Sequence, residues 1–160
     1  MLGKVSEARL ELLYGPLADA VRNMAVLLES EIPFIVTQGL RSWSEQDALY
    51  AQGRTTPGAI VTNVAGGRSW HNFGLAVDLA PDDPTKPGFQ IDWNAAHPQW
   101  KRLEQVGISV GLFSGSLFRS FPDAPHFQLT GRFGLTPNDE VRQLFRDGGM
   151  AAVWAEVTGK

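Results

Sequence analysis

The sequence predicts an α+β fold: one domain over residues 1–160, built on a small antiparallel sheet flanked by helices. Three features carry this reading. Leu75-Ala76-Val77-Asp78-Leu79-Ala80 alternates strictly, placing Leu75, Val77 and Leu79 toward a core and the smaller or polar residues on the other side. Leu17, Val21, Met24 and Leu28 recur at helical spacing and form an apolar stripe. Pro122 and Pro125 oppose helix, so Asp123 to His126 is expected to run extended, with His126 and Gln128 on one strand face and Phe127 and Leu129 on the other.

Along the chain, residues 6 to 30 read as helical with a break at Gly15-Pro16, where Pro16 suits the first position of a new helix. Pro33 to Gln38 reads as a strand. Ser44 is expected to cap a short helix ending at Gly53, with Asp47 at the reciprocal capping position. Residues 54 to 74 form a long Gly-, Thr- and Asn-rich loop, a length that often carries function. Asp82 and Asp83 fall in a proline-rich loop and read as solvated turn acids. Pro98 opens a helix expected to close at Gly107, and His97 reads as a surface residue ahead of it. Residues 108 to 121 are rich in Gly, Ser and aromatics and are placed beside a cleft. Thr136-Pro137 starts a helix ending near Gly148-Gly149, and a short last helix carries Met150, Val153 and Trp154. The core thus spans about residues 30 to 130, with the C-terminal helices 136–158 packed on it. No repeat, low-complexity tract or linker is visible.

Composition narrows the function classes. A hydrophobic content of 43% with 19% charged residues suits a globular domain, and 160 residues suffice for a core. A net charge of −3 gives no electrostatic case for nucleic acid or an anionic membrane as partner. With no cysteine, disulfides and thiolate metal sites are excluded, leaving imidazole and carboxylate as ligands. The N-terminus lacks the apolar stretch of a secretory signal, and no segment approaches the ~20 apolar residues of a membrane span.

The chemistry concentrates in Ser69-Trp70-His71-Asn72-Phe73-Gly74-Leu75-Ala76-Val77-Asp78 and Phe121-Pro122-Asp123-Ala124-Pro125-His126-Phe127. Two imidazoles and a carboxylate, from His71, Asp78 and His126, fill three corners of a tetrahedron around zinc and leave the fourth for a reactive water. A helix would hold His71 and Asp78 about 10 Å apart along its axis. A continuous strand would separate them by roughly 23 Å. The chain must therefore bend between them, and Asn72-Phe73-Gly74 supplies the bend. Asp123, three residues before His126, is placed to take a proton from the water. Taken singly, each of these residues suits a bland role, a core histidine or a turn aspartate. Together they suit one site.

These two stretches resemble the zinc peptidases of the D-alanyl-D-alanine carboxypeptidase superfamily, peptidase family M15. The resemblance is nearer to its L-alanyl-D-glutamate endopeptidase branch, which includes phage endolysins and bacterial wall-lytic enzymes. It also covers Val36-Thr37-Gln38-Gly39-Leu40-Arg41-Ser42, Glu45-Gln46, Leu49-Tyr50-Ala51-Gln52-Gly53-Arg54-Thr55, Pro57-Gly58 and Val61-Thr62-Asn63, so roughly residues 30 to 130. It implies a hedgehog/D-Ala-D-Ala-peptidase-like fold, one zinc ion held by His71, Asp78 and His126, Asp123 as catalytic base, and Arg41 on a substrate carboxylate. Arg41 offers the planar fork that carboxylate recognition uses, and an ion pair with Glu45 or Asp47 is an equal alternative. Ser69 and Gln38 are placed to hydrogen-bond substrate or ligands, and Ser69 equally to satisfy a loop amide. Where relatives often carry a Trp-Gly-Gly-Asp-Trp type stretch, this chain has Phe113-Ser114-Gly115-Ser116-Leu117-Phe118.

The implied function is hydrolysis of bacterial peptidoglycan stem peptides between L-alanine and D-glutamate. The enzyme is expected to be a monomer, made in the cytoplasm and reaching the wall through a holin-like partner. Two rivals stand beside this: a D-alanyl-D-alanine carboxypeptidase or dipeptidase with the same metal chemistry, and a non-catalytic zinc-stabilised binding domain.

Overall fold

A computed structural model of the chain describes residues 1–158. It contains five α-helices and one four-stranded antiparallel sheet. The predicted α+β class and antiparallel pairing are therefore correct. The chain groups into two compact units, Met1–Gly39 with Ala76–Leu129, and Leu40–Leu75 with the residues from Thr130 on.

The first unit holds the sheet, in the order β1 (Phe34–Gln38), β2 (Ala76–Pro81), β4 (His126–Gln128), β3 (Phe113–Ser114). Ahead of it lie α1 (Lys4–Leu10) and α2 (Gly15–Leu27), with Pro16 in the first turn of α2 as its fixed φ favours. The stripe Leu17, Val21, Met24 and Leu28 is fully buried. The edge strand β1 is tied to α1: Val36 N donates to Ser6 Oγ at 3.0 Å and Arg9 Nη1 to the Val36 carbonyl at 2.6 Å. Val77, Leu79 and Phe127 on one sheet face are buried as the alternation predicts. On the other face, the small Ala76 and Ala80 flank Asp78 and are buried too.

Several expectations change in this unit. α4 (Pro98–Ser109) runs through Gly107 rather than stopping there. A Cβ at Gly107 would lie 2.4 Å from the Phe127 ring, so the glycine serves close helix–sheet approach. The helix ends ahead of Gly111, whose φ of 92° suits a glycine. Asp83 is not a solvated turn acid. Only 5% exposed, its Oδ1 accepts from Thr85 N and Oγ1, and its carboxylate pairs with Lys86 Nζ at 2.9 Å. Asp82 is likewise committed, its Oδ1 accepting from Gln90 N at 2.7 Å. Finally, Asp123 to His126 is a turn rather than an extended run, closed by His126 N donating to the Asp123 carbonyl at 3.2 Å. Pro122 and Pro125 exclude helix there, but they are compatible with a turn.

His97 does precede α4, as read from the sequence, yet it is not a plain surface residue. Its Nδ1 lies 2.9 Å from an oxygen of the buried Asp92.

The second unit packs α3 (Trp43–Ala51), a 3-10 turn (Trp70–Phe73) and α5 (Asp139–Val157) around aromatic side chains. Trp43 stacks on Phe145 with centroids 5.5 Å apart, and Phe73 meets Phe145 edge-on. Trp70 Nε1 donates to the Leu135 carbonyl and Trp154 Nε1 to that of Phe73. The helical backbone of α5 is broken at Gly148-Gly149, where Gly149 has φ 67° and ψ −162°, so α5 consists of two helical stretches that meet at the predicted break. The cap of α3 is Ser42, not Ser44: Ser42 Oγ accepts from Glu45 N while the Glu45 carboxylate accepts from Ser42 N. Asp47 instead accepts from Gly66 N at 2.7 Å and anchors the long loop.

Candidate metal centre

Strand register builds half of the site. Asp78 on β2 faces His126 on β4, and Gln38 on β1 faces Asp78 from the other side. Directly paired residues point to the same face, so these three side chains form a row across the sheet. Asp78 Oδ1 lies 3.5 Å from His126 Nδ1. Donors at ~2.1 Å from a tetrahedral ion sit about 3.4 Å apart, so this pair already has the spacing of two ligands. Gln38 is exposed at the end of β1, where a bulge breaks the register between Val36 and Gln38. Thr37, the bulged residue, donates through Oγ1 to the Asp78 carbonyl.

His71 comes from the 3-10 turn. Ser69 Oγ accepts from His71 N at 3.3 Å, and the Asn72 carboxamide oxygen accepts from Ser69 N and Gly67 N. Gly74 then takes φ 66°, the left-handed region that favours glycine, and turns the chain toward β2. Ser69 thus satisfies a loop amide, the structural alternative the sequence left open. Arg41 N donates to the His71 carbonyl, and Arg41 Nη1 donates to Gln46 Oε1 at 2.9 Å. Gln46 is fully buried and continues to Thr62 Oγ1 and the Val64 carbonyl. Glu45 also closes the α3 cap, and Asp47 accepts from Gly66 N.

His71, Asp78 and His126 each offer a ligand atom within 4.8 Å of the others, a group that could hold a metal ion. The two imidazoles are 3% and 8% exposed. Burial alone would lower the basicity of His126. The hydrogen bond and charge of Asp78, the Gln128 amide and the Asp123 charge together outweigh it, and its pKa is raised above the ordinary imidazole value. A nest of acceptors that draws protons onto an imidazole also suits a cation. The donor set fits zinc: nitrogen and oxygen ligands only, with a carboxylate to balance charge.

Asp123 stands outside that trio. Its N–H donates to the Gly115 carbonyl at 2.9 Å, which fixes the turn against the segment 113–118. Gly115 permits this approach, since a Cβ there would meet the Asp123 carbonyl oxygen at 2.6 Å and the His126 Cβ at 2.8 Å. In the same segment Ser116 Oγ donates to Glu104 Oε2 at 2.6 Å. The Phe118 ring lies 5.6 Å from the His126 ring.

One residue of this arrangement escapes the sequence, and so does one contact of a residue that the sequence placed. Gly115 looks like an ordinary loop glycine, and its role appears only once the turn packs on it. Gln128 was placed on the His126 face by alternation, and the structure adds that His126 Nε2 lies 2.8 Å from Gln128 Oε1.

Comparison with known proteins shows the family. A family model described as D-alanyl-D-alanine carboxypeptidase matches residues 62–129, which include His71, Asp78, Asp123 and His126. The peptidoglycan L-alanyl-D-glutamate endopeptidase CwlK of Bacillus subtilis (strain 168) is 35% identical over 119 residues, 70% of this chain and 68% of that protein. The chain belongs to the M15 peptidase family. The crystal structure of the Serratia marcescens L-Ala D-Glu endopeptidase ChiX has the same fold, with a TM-score of 0.59, 24% identity and 90% of both chains covered. M15 peptidases are metal-dependent, and the His-Asp-His trio is where this M15 chain could hold its metal. Among the described residues no helix is long and apolar enough to cross a membrane.

Proposed function

We propose that this M15 chain is a zinc peptidase that cleaves the L-alanyl-D-glutamate bond of peptidoglycan stem peptides. The observation that carries the proposal is the convergence of His71, Asp78 and His126 to within 4.8 Å, with Asp123 next to His126 but outside the trio. The L-alanyl-D-glutamate endopeptidase named among its relatives supports the choice of bond.

His71, Asp78 and His126 would hold the ion. Bound zinc supplies Lewis acidity, which polarises a peptide carbonyl and makes nearby water a better acid. Asp123 takes the proton of the attacking water and returns it to the leaving amine, a role that requires it not to be a ligand. Gln38, exposed on β1 and paired with Asp78, is assigned to hydrogen-bond the peptide, and Arg41 to a stem-peptide carboxylate. Ser69 supports this indirectly by holding the turn that presents His71. The enzyme is taken to act as a monomer, made in the cytoplasm and passed to the wall by a holin-like partner. Lysis on co-expression with a membrane-permeabilising protein, and none without it, tests that route.

Mass spectrometry of fragments from purified peptidoglycan decides the bond. New amino groups on D-glutamate are expected. Released D-alanine would instead make the chain a carboxypeptidase, the activity in the description of the matching family model.

A further inference from the structure

We propose that Gln128 is a positioning residue for the metal centre: its side-chain oxygen holds the His126 proton on Nε2 and so keeps Nδ1 as the lone pair aimed at Asp78. The inference rests on the metallopeptidase reading for its purpose, but its content concerns only the protonation pattern of one ring.

The placement comes from the sheet. His126 and Gln128 are two residues apart on β4, so their side chains leave the same face. Gln128 pairs with Ala76 on β2, and that small partner leaves room for a longer side chain in a fully covered position. Gln128 is 2% exposed. A buried carboxamide is costly unless its groups are bonded, and this one spends its oxygen on an imidazole nitrogen at 2.8 Å. Across the same ring, Nδ1 is 3.5 Å from Asp78 Oδ1.

These distances favour Nε2 as the seat of a single ring proton. A charge-assisted N–H···O bond is typically about 2.7–2.9 Å long, so the hydrogen bond that the charged ring makes to Asp78 is the longer and weaker of its two. The contact at Gln128 has the length of a full hydrogen bond. A carboxamide oxygen only accepts, so Nε2 must donate to it. In the neutral ring Nδ1 then has no hydrogen and offers its lone pair to a cation beside Asp78. Ligating histidines generally donate their other nitrogen to such an acceptor, which sets the tautomer. Here the acceptor is a neutral amide rather than a carboxylate, so it orients the ring without adding negative charge.

Nitrogen-15 NMR of the metal-free protein, at a pH where the rings are neutral, reads the tautomer directly. The chain has only three histidines, so His71→Asn and His97→Asn variants assign the signals. The expected result is an Nε2–H tautomer for His126, and an Nδ1–H tautomer in the wild-type protein overturns the proposal. Gln128→Met removes the acceptor at similar size. It is expected to mix the tautomers and weaken zinc binding, measured by chelator competition, by about 10–100-fold. Gln128→Glu keeps an acceptor and is expected to retain the Nε2–H tautomer and zinc binding. Unchanged tautomer and zinc affinity in Gln128→Met would also overturn it. If the wild-type protein bound no zinc yet showed Nε2–H at His126, the metallopeptidase reading would fall while the assignment to Gln128 stood.

Discussion

Asp78 and His126 are direct cross-strand partners on β2 and β4, and their facing atoms Oδ1 and Nδ1 lie 3.5 Å apart. The relationship depends on register. A slip of one residue would turn Asp78 into the core and bring Val77 to the ligand face. The buried Val77–Phe127 pair beside them holds the register, so core packing and ligand geometry are set by the same pairing.

Removing any member of the trio should therefore remove the metal without unfolding the sheet. His71→Ala, His126→Ala and Asp78→Ala are each expected to lose zinc, from about one ion per chain to almost none after dialysis. Elemental analysis of purified protein measures this. Full zinc content in any of the three variants would take that residue out of the site.

Asp123→Ala should separate metal binding from chemistry. The residue stands outside the trio, so zinc content should remain, while loss of the general base should cost roughly 10²–10⁴-fold in kcat. Steady-state hydrolysis of purified stem peptide checks it. Hydrolysis at the wild-type rate would exclude Asp123 as the base.

Gly115→Ala tests the support beneath that base. The added Cβ would sit 2.6 Å from the Asp123 carbonyl oxygen and 2.8 Å from the His126 Cβ, closer than real contacts allow. Relief requires the turn 123–126 to move, at about 1–3 kcal/mol in stability as for other overpacked sites. Urea unfolding should show that loss, and kcat should fall although no proposed catalytic side chain has changed.

Arg41→Ala distinguishes substrate recognition from scaffolding. Arg41 Nη1 bonds the buried Gln46, so some loss of stability is expected in either case. Contact with a substrate carboxylate predicts in addition a KM higher by about tenfold or more with zinc retained, since charged hydrogen bonds contribute about 1.5–3 kcal/mol. Unchanged kinetics on stem peptides would make the residue structural.

Much of the site was legible because its spacing forbids regular structure. His71 and Asp78 cannot meet on one helix or one strand, and Gly74 marks the bend that brings them together. The alternation around Asp78 likewise gave its strand and face. Local competition between similar signals hid the rest. Ser42 and Ser44 both precede an acid by three residues, and the glutamate, with its longer reach, makes the capping box at Ser42. Gly107 and Gly111 both suit a helix end, and only the packing of Phe127 shows why the first lies inside α4. Pro122 and Pro125 exclude helix without choosing between strand and turn. The bond from His126 N to the Asp123 carbonyl makes that choice.

Asp83 gives a pH dependence away from the metal centre. Hydrogen bonds from the Thr85 hydroxyl, from Lys86 and from the Thr85 backbone lower its pKa from 3.8 to about 2. A carboxylate depressed in the folded state stabilises the fold while pH exceeds its unfolded value. That contribution shrinks as pH falls below 3.8 and is gone below about 2. Asp83→Asn keeps the shape but replaces charge-assisted bonds with neutral ones. It should lower the melting temperature at pH 7, and the difference from wild type should narrow through that window and vanish at its acid end. Thermal melts of both proteins from pH 7 to pH 2 measure it. A difference that persists unchanged to pH 2 would show that Asp83 acts through packing rather than charge.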